Sequence, residues 1–206
     1  MSVTPPASPP PVIARRILIT GVPQHGKTVL AEHLVDDLLR ADPQARALIW
    51  DGVREVQYRG VVCETLDEWR QAPRARRFVF RGGVPVPAVA TLALELTRLR
   101  PGAPPPARIV LVVDEMARRD VVIASHWAHQ SLLDCTTKAR LVSFIGTMQA
   151  PRHAPTDLRS VFTDLYSFRL DDQADLDALA NRGMPERYLP WVRRLKPHRF
   201  VHYHRW

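Results

Sequence analysis

The chain has 206 residues, 46% hydrophobic and 24% charged, which fits a globular protein with room for one well-buried domain but not two of ordinary size. Its formal net charge of +8 points to a polyanionic partner or an acidic membrane surface without choosing between them. No run approaches the ~20 apolar residues of a membrane span, and the N-terminus has neither the basic start nor the apolar core of a signal peptide. Cys63 and Cys135 lack CxxC spacing and read as two ordinary thiols of a reduced, cytoplasmic protein.

Residues 1–12 contain five prolines and little that could enter a core, so a disordered or extended leader is expected there, followed by one domain over 13–206. From Arg15 onward, short apolar runs alternate with amphipathic stretches, the pattern of βα units on a mostly parallel sheet flanked by helices. The runs read as strands are 16–20, 47–51, 77–82, 108–115, 141–147 and 163–170. After the first of them, Leu30, Leu34, Leu38 and Leu39 line one helical face, with Glu32, Asp36 and Asp37 off it. Two further helices are expected over 86–99 and 121–135. The proline-dense segment 101–107 must be a loop, because prolines at that density cannot continue a helix.

Between the first strand and the first helix lies Gly21-Val22-Pro23-Gln24-His25-Gly26-Lys27-Thr28, which fits the G-x-x-x-x-G-K-[ST] phosphate-binding pattern. The glycines permit the tight turn that aims successive N–H groups at phosphate oxygens. Lys27 supplies a point charge for the β- and γ-phosphates, and Thr28 offers a hydroxyl to Mg²⁺. The helix that follows points its positive end at the same anion. Positions 21 to 28, with Val29 behind them, are therefore the expected contacts of an ATP molecule.

The most apolar strand ends in Asp114–Glu115, at the carboxyl edge where ligands of open α/β sheets collect. Asp114 is placed to support the Mg²⁺ shell, and Glu115 to polarise a water for attack on the γ-phosphate. Gln149, just past the next strand, would lie beside that acidic pair.

The order of these pieces resembles the FtsK–HerA superfamily of DNA-pumping ATPases. The resemblance is carried by the loop, then VVDE (112–115), TKARLVSFIGTMQAPRHAPTDLRS (137–160) and FRLDDQADLDAL (168–179). Within that group the short length looks most like the genome-packaging ATPases of membrane-containing icosahedral viruses. The resemblance implies a homo-oligomeric ring, a hexamer, that moves double-stranded DNA, with capsid or viral membrane portal proteins as further partners. The setting would be the host cytoplasm or a packaging vertex of the virion. It also implies that Gln149 senses the γ-phosphate and that an arginine finger reaches a neighbour's site from Arg152 or Arg159, with Arg140 the further candidate. The chain departs from the commoner pattern at Met148 and at Gln24-His25, where small residues are usual.

Two other readings stay open. A Zot-like phage assembly ATPase shares the loop, the acidic strand and a Q-x-P loop. A P-loop nucleotide kinase would need an arginine-rich lid and an acceptor pocket, and the acidic pair with its glutamine argues against it.

Residues 184–206 hold six Lys/Arg against one Glu, interleaved with Tyr188, Trp191, Phe200, Tyr203 and Trp206. A final helix and an edge strand (199–205) are expected, with charges that guard the edge or touch DNA. His202 and His204 share a face of that strand, with no acidic or thiol ligand nearby in sequence. Arg74, Arg76 and Arg77 read as a solvated loop, or as a pore loop of suitable sign.

Overall fold

The computed structural model describes residues 14–52, 58–72, 74–81, 83–98, 106–116 and 126–205. The expected leader, most of the 101–107 loop, the start of the 121–135 helix and Trp206 lie outside them. The apolar runs become β1 (Arg16–Thr20), β2 (Arg46–Trp50), β4 (Arg77–Phe80), β5 (Ile109–Val113), β6 (Val142–Met148) and β7 (Asp164–Ser167). Two strands complete the sheet: β3 (Val61–Cys63), which no sequence pattern singled out, and the expected edge strand β8 (Val201–His204). The order is β3-β4-β2-β5-β6-β1-β7-β8, parallel throughout except where β8 runs antiparallel to β7.

Burial explains why the parallel strands read as unbroken apolar runs: both faces of the sheet are covered. Helix α1 (Lys27–Ala41) packs Ala31, Leu34 and Val35 over Ile17, Ile19, Ile49, Val112 and Ile145. On the other face lie α3 (Val86–Leu96) and α4, whose described part is His126–Thr137. These two helices set Val89, Ala93, Leu132 and Cys135 against Leu111, Val113 and Phe144. Helix α3 stops three residues before the sequence-based limit; Thr97 folds its hydroxyl back to the Leu94 carbonyl at 2.9 Å. Short helices α2 (Leu66–Gln71), α5 (Thr156–Ser160), α6 (Gln173–Ala180) and α7 (Leu189–Arg194) fill the connections. No helix of the described residues is long and apolar enough to cross a membrane.

The arginine cluster before β4 is largely structural rather than a free loop. Arg76 donates to the Leu39, Asp42 and Ala45 carbonyls and so caps the end of α1. Arg77 is paired at 2.7 Å with Asp36 of α1, which also holds Arg59. Arg74 and Arg76 are exposed and Arg77 is half-buried. Both cysteines are buried and free, and burial pushes the Cys135 thiol up to about 12.

At the β7–β8 edge, Asp164 is 3% exposed and gathers Arg15 (2.8 Å), His202 (3.2 Å) and His204 (3.2 Å). The two histidines do share a face, and the acid they meet comes from another strand. Among the described residues no cluster of His, Cys, Asp and Glu could hold a metal ion. Burial pushes the Asp164 carboxyl up, but Arg15, His202 and Thr163 more than reverse this and leave it below the usual range. A depressed folded-state pKa contributes stability that is complete above the unfolded pKa near ~4 and is lost as pH falls through the folded value. Asp164→Asn should therefore lower unfolding stability at pH 7 by about 2 kcal/mol. A urea titration repeated on the acid side should show the deficit shrinking.

Candidate nucleotide-binding and hydrolysis site

Strand register brings the scattered motif residues together. Thr20 pairs with Met148 on one side and Ser167 on the other, and Val113 pairs with Gly146. The carboxyl ends of β5, β6, β1 and β7 therefore lie in one row, and the loop 21–26 rises from its middle. Backbone bonds anchor its start: Gly21 N–H donates to the Met148 carbonyl (3.3 Å) and Val22 N–H to that of Arg169 (2.9 Å).

Two glycines are required by this packing. Gly21 has φ +145° and a side chain there would meet the Phe168 Cβ at 2.5 Å; Gly26 has φ +99° and would meet His198 Nδ1 at 2.9 Å. Gln24, at φ 59°, takes a left-handed conformation that a non-glycine residue adopts at some cost. Left-handed residues in a loop of this kind turn its N–H groups inward as an anion nest.

Lys27 is 7% exposed at the first turn of α1. Its Nζ donates to the Gly21 and Val22 carbonyls (2.8 and 3.2 Å) and lies 3.8 Å from Glu115 Oε1. Burial pushes the ammonium below the usual lysine range, while Glu115 and Asp114 hold it up. Burial likewise raises the Glu115 carboxyl, opposed by the Lys27 charge and the Gln149 amide. Gln149 Nε2 donates to Glu115 Oε1 at 3.2 Å, so the three groups named for the γ-phosphate end meet at one point.

Asp114 and Glu115 are held by a residue that sequence reasoning left without a role. Thr147 Oγ1 donates to Asp114 Oδ1 (2.6 Å) and accepts from the Glu115 N–H (2.9 Å). Glu115 itself is left-handed at φ 48°, a strained conformation for a non-glycine residue, and its carboxylate lies 3.8 Å from the Lys27 ammonium. Tyr58 adds a second unforeseen contact: its buried hydroxyl donates to Asp114 Oδ1 at 2.9 Å, with the Thr28 side chain close by. Burial and the Asp114 charge together raise the phenol well above its ordinary value, so it stays a neutral donor. Nothing short-range in the sequence marks Tyr58, which reaches Asp114 from the connection between β2 and β3.

The donor set is all oxygen near the Thr28 hydroxyl and the Asp114 carboxylate, as a hard divalent cation such as Mg²⁺ requires. Burial raises Asp114 against the hydrogen bonds from Thr147 and Tyr58, and a cation beside it would offset that cost.

No protein-family model matches the chain, and no curated protein sequence matches it. Solved structures do. The genome-packaging NTPase of Sulfolobus turreted icosahedral virus 2, in complex with sulfate, superimposes with a TM-score of 0.71 at 14% identity, over 93% of this chain and 91% of that one. The DNA-packaging ATPase of Sulfolobus turreted icosahedral virus gives 0.61 at 17% identity, over 91% of both. The pCW3 conjugation coupling protein TcpA gives 0.61 at 14%, over 93% of this chain and 58% of that one.

The chain has the P-loop NTPase fold. Its likeness to these proteins bears out the expected fold, a mostly parallel sheet flanked by helices. The packaging NTPase of the second virus also has structures with AMP, AMPPCP and ATP-γS.

On this P-loop NTPase frame the three arginines separate sharply. Arg152, in the 3-10 turn after β6, is tied down: Nη1 lies 2.7 Å from Asp172 and 2.8 Å from Asp175, and its N–H donates to Asp175. Arg159, on α5, bonds only the Thr156 hydroxyl (3.2 Å) and has no carboxylate partner among the described residues; its Nε is buried without an acceptor. Arg182 leans on the Thr156 carbonyl beside it, so two cations share one threonine. Arg140 is exposed at the amino end of β6, opposite the loop.

Proposed function

We propose that this chain hydrolyses ATP as a ring-forming, homohexameric translocase that packages a viral double-stranded DNA genome into a capsid. The observation that carries the proposal is the meeting of Lys27, Glu115 and Gln149 at the mouth of the phosphate loop, with Asp114 and Thr28 behind them. The acidic pair with its glutamine beside Lys27 argues against a lid-bearing nucleotide kinase. The structural likeness to two viral packaging ATPases supports the finer reading.

In this reading the loop N–H groups and Lys27 bind the phosphates. Thr28 and Asp114 would hold Mg²⁺, which would supply positive charge to offset that of the phosphates. Glu115 takes the proton of the attacking water as ADP departs, and its burial-raised pKa makes it a better base than an exposed glutamate. Gln149, bonded to Glu115, positions that water and registers the γ-phosphate. Arg159 serves as the trans finger in place of Arg152, because Arg152 is already spent on α6. Further partners would be capsid or viral membrane portal proteins, in the host cytoplasm or at a packaging vertex.

The test is steady-state ATP hydrolysis over a range of protein concentrations, with and without double-stranded DNA. Turnover that climbs with assembly and with DNA supports a ring translocase. Turnover indifferent to both would leave only a nucleotide-binding fold. A companion variant, Tyr58→Phe, keeps the ring in the core but removes the hydroxyl that donates to Asp114. It should weaken the Mg²⁺ dependence of turnover about tenfold, read by Mg²⁺ titration, with little change in melting temperature.

A further inference from the structure

The site has a direction. The groups that would act on the γ-phosphate, Glu115 and Gln149, follow β5 and β6, which lie on one side of β1 and its loop. A triphosphate seated on the loop with its γ end there must send its nucleoside half out across the other side, over β7 and β8. Because β8 is antiparallel to β7, its beginning rather than its end reaches this carboxyl edge: Val201 pairs with Ser167.

The segment leading into β8 is clasped to the loop. His198 N–H donates to the His25 carbonyl (3.1 Å), and its imidazole lies against Gly26. His198 adopts a left-handed conformation, φ 61°, to do so. Two residues on, the Phe200 ring packs edge-on to Phe168 and to Tyr166, each at 5.5 Å. Phe168 is the residue against which Gly21 turns.

The rest of that ring is open, since Phe200 is 42% exposed. Val29, in the first turn of α1 directly after Thr28, is 58% exposed. Five large hydrophobic residues are exposed among the described residues, and these two flank the phosphate loop. An exposed aromatic face and an imidazole beside a phosphate cradle form the apolar, stackable surface that a nucleobase seeks.

We propose that His198 and Phe200 form the platform for the base and ribose of the bound nucleotide, so that the segment entering β8 is part of the binding site rather than an edge guard. The proposal rests on the nucleotide reading above and adds where the nucleoside lies and what grips it. Base–aromatic stacking of this kind changes affinity roughly ten- to a hundredfold per ring.

The test uses the full chain, Mg²⁺, and two probes that share a phosphate chain: ATP and inorganic tripolyphosphate, titrated calorimetrically. Wild type should bind ATP at least tenfold more tightly than tripolyphosphate. Phe200→Ala and His198→Asn should each erase most of that advantage and leave tripolyphosphate affinity unchanged. Asparagine tolerates the left-handed backbone at 198 and removes only the ring. Phe200→Trp should restore ATP binding. A parallel loss of both probes would mean that the segment merely props the loop, and would overturn the proposal; so would no loss of either. Equal affinity of wild type for the two probes would overturn the platform alone, whereas failure to bind either would overturn the nucleotide reading itself.

Discussion

Glu115→Gln is expected to reduce ATP turnover by roughly 10²–10⁴-fold while leaving nucleotide binding intact. The substitution preserves the shape of a side chain that already accepts the Gln149 amide and sits 3.8 Å from Lys27. It also relieves the cost of burying a carboxylate, so the variant should be no less stable than wild type. Binding survives because the loop N–H groups and Lys27 remain. Single-turnover hydrolysis beside equilibrium ATP binding separates the two effects. Unchanged turnover would remove Glu115 from the chemistry and shift the search to Asp114. The variant should therefore trap the ATP-bound state.

Arg159→Ala is expected to cost about 10³-fold in turnover with nucleotide affinity nearly unchanged, the signature of a group that meets only the transition state, and from another subunit. Arg152→Ala should behave differently. It strips a buried aspartate, Asp175, of its charged partner and so should lower stability by about 2 kcal/mol before it affects chemistry. The decisive arm is a mixture. An Arg159→Ala subunit keeps its own Glu115, and a Glu115→Gln subunit keeps its own Arg159. If the finger acts across a subunit boundary, mixing the two inactive variants creates some intact interfaces and restores part of the rate. If Arg159 acts within its own chain, or only in folding, mixing restores nothing.

Much of this site is legible in the sequence because its chemistry is local. A phosphate loop must be contiguous, and an acidic pair at a strand end needs only the strand to place it. Gln149 follows from the same logic one strand later. Tyr58 and Thr147 were invisible as site residues because their meaning lies in partners dozens of positions away. The arginines were undecidable for the same reason: Asp172 and Asp175 rank them only once α6 is folded beside the turn.

The fold shows a similar division. Strands buried on both faces announce themselves as apolar runs, whereas β3 has three residues, two of them exposed, and offers no such signal. Helix α2 could have been found. Thr65 caps it by accepting from the Glu68 N–H, and Glu68 reaches back to the Glu64 N–H, so Thr65 and Glu68 carry a readable helix-start signature.

The place of β1 in the sheet also governs when a newly made chain can function. It precedes every other described strand of the sheet, yet its two neighbours are β6 and β7, which are made more than a hundred residues later. At roughly 5–20 residues per second, the phosphate loop waits on the order of ten seconds for the walls that shape it. Pairing across such separations is slow, and the apolar run Arg16–Thr20 is open to wrong partners in the interval. The walls of the phosphate loop are therefore complete only once β6 and β7 have been made and paired beside β1.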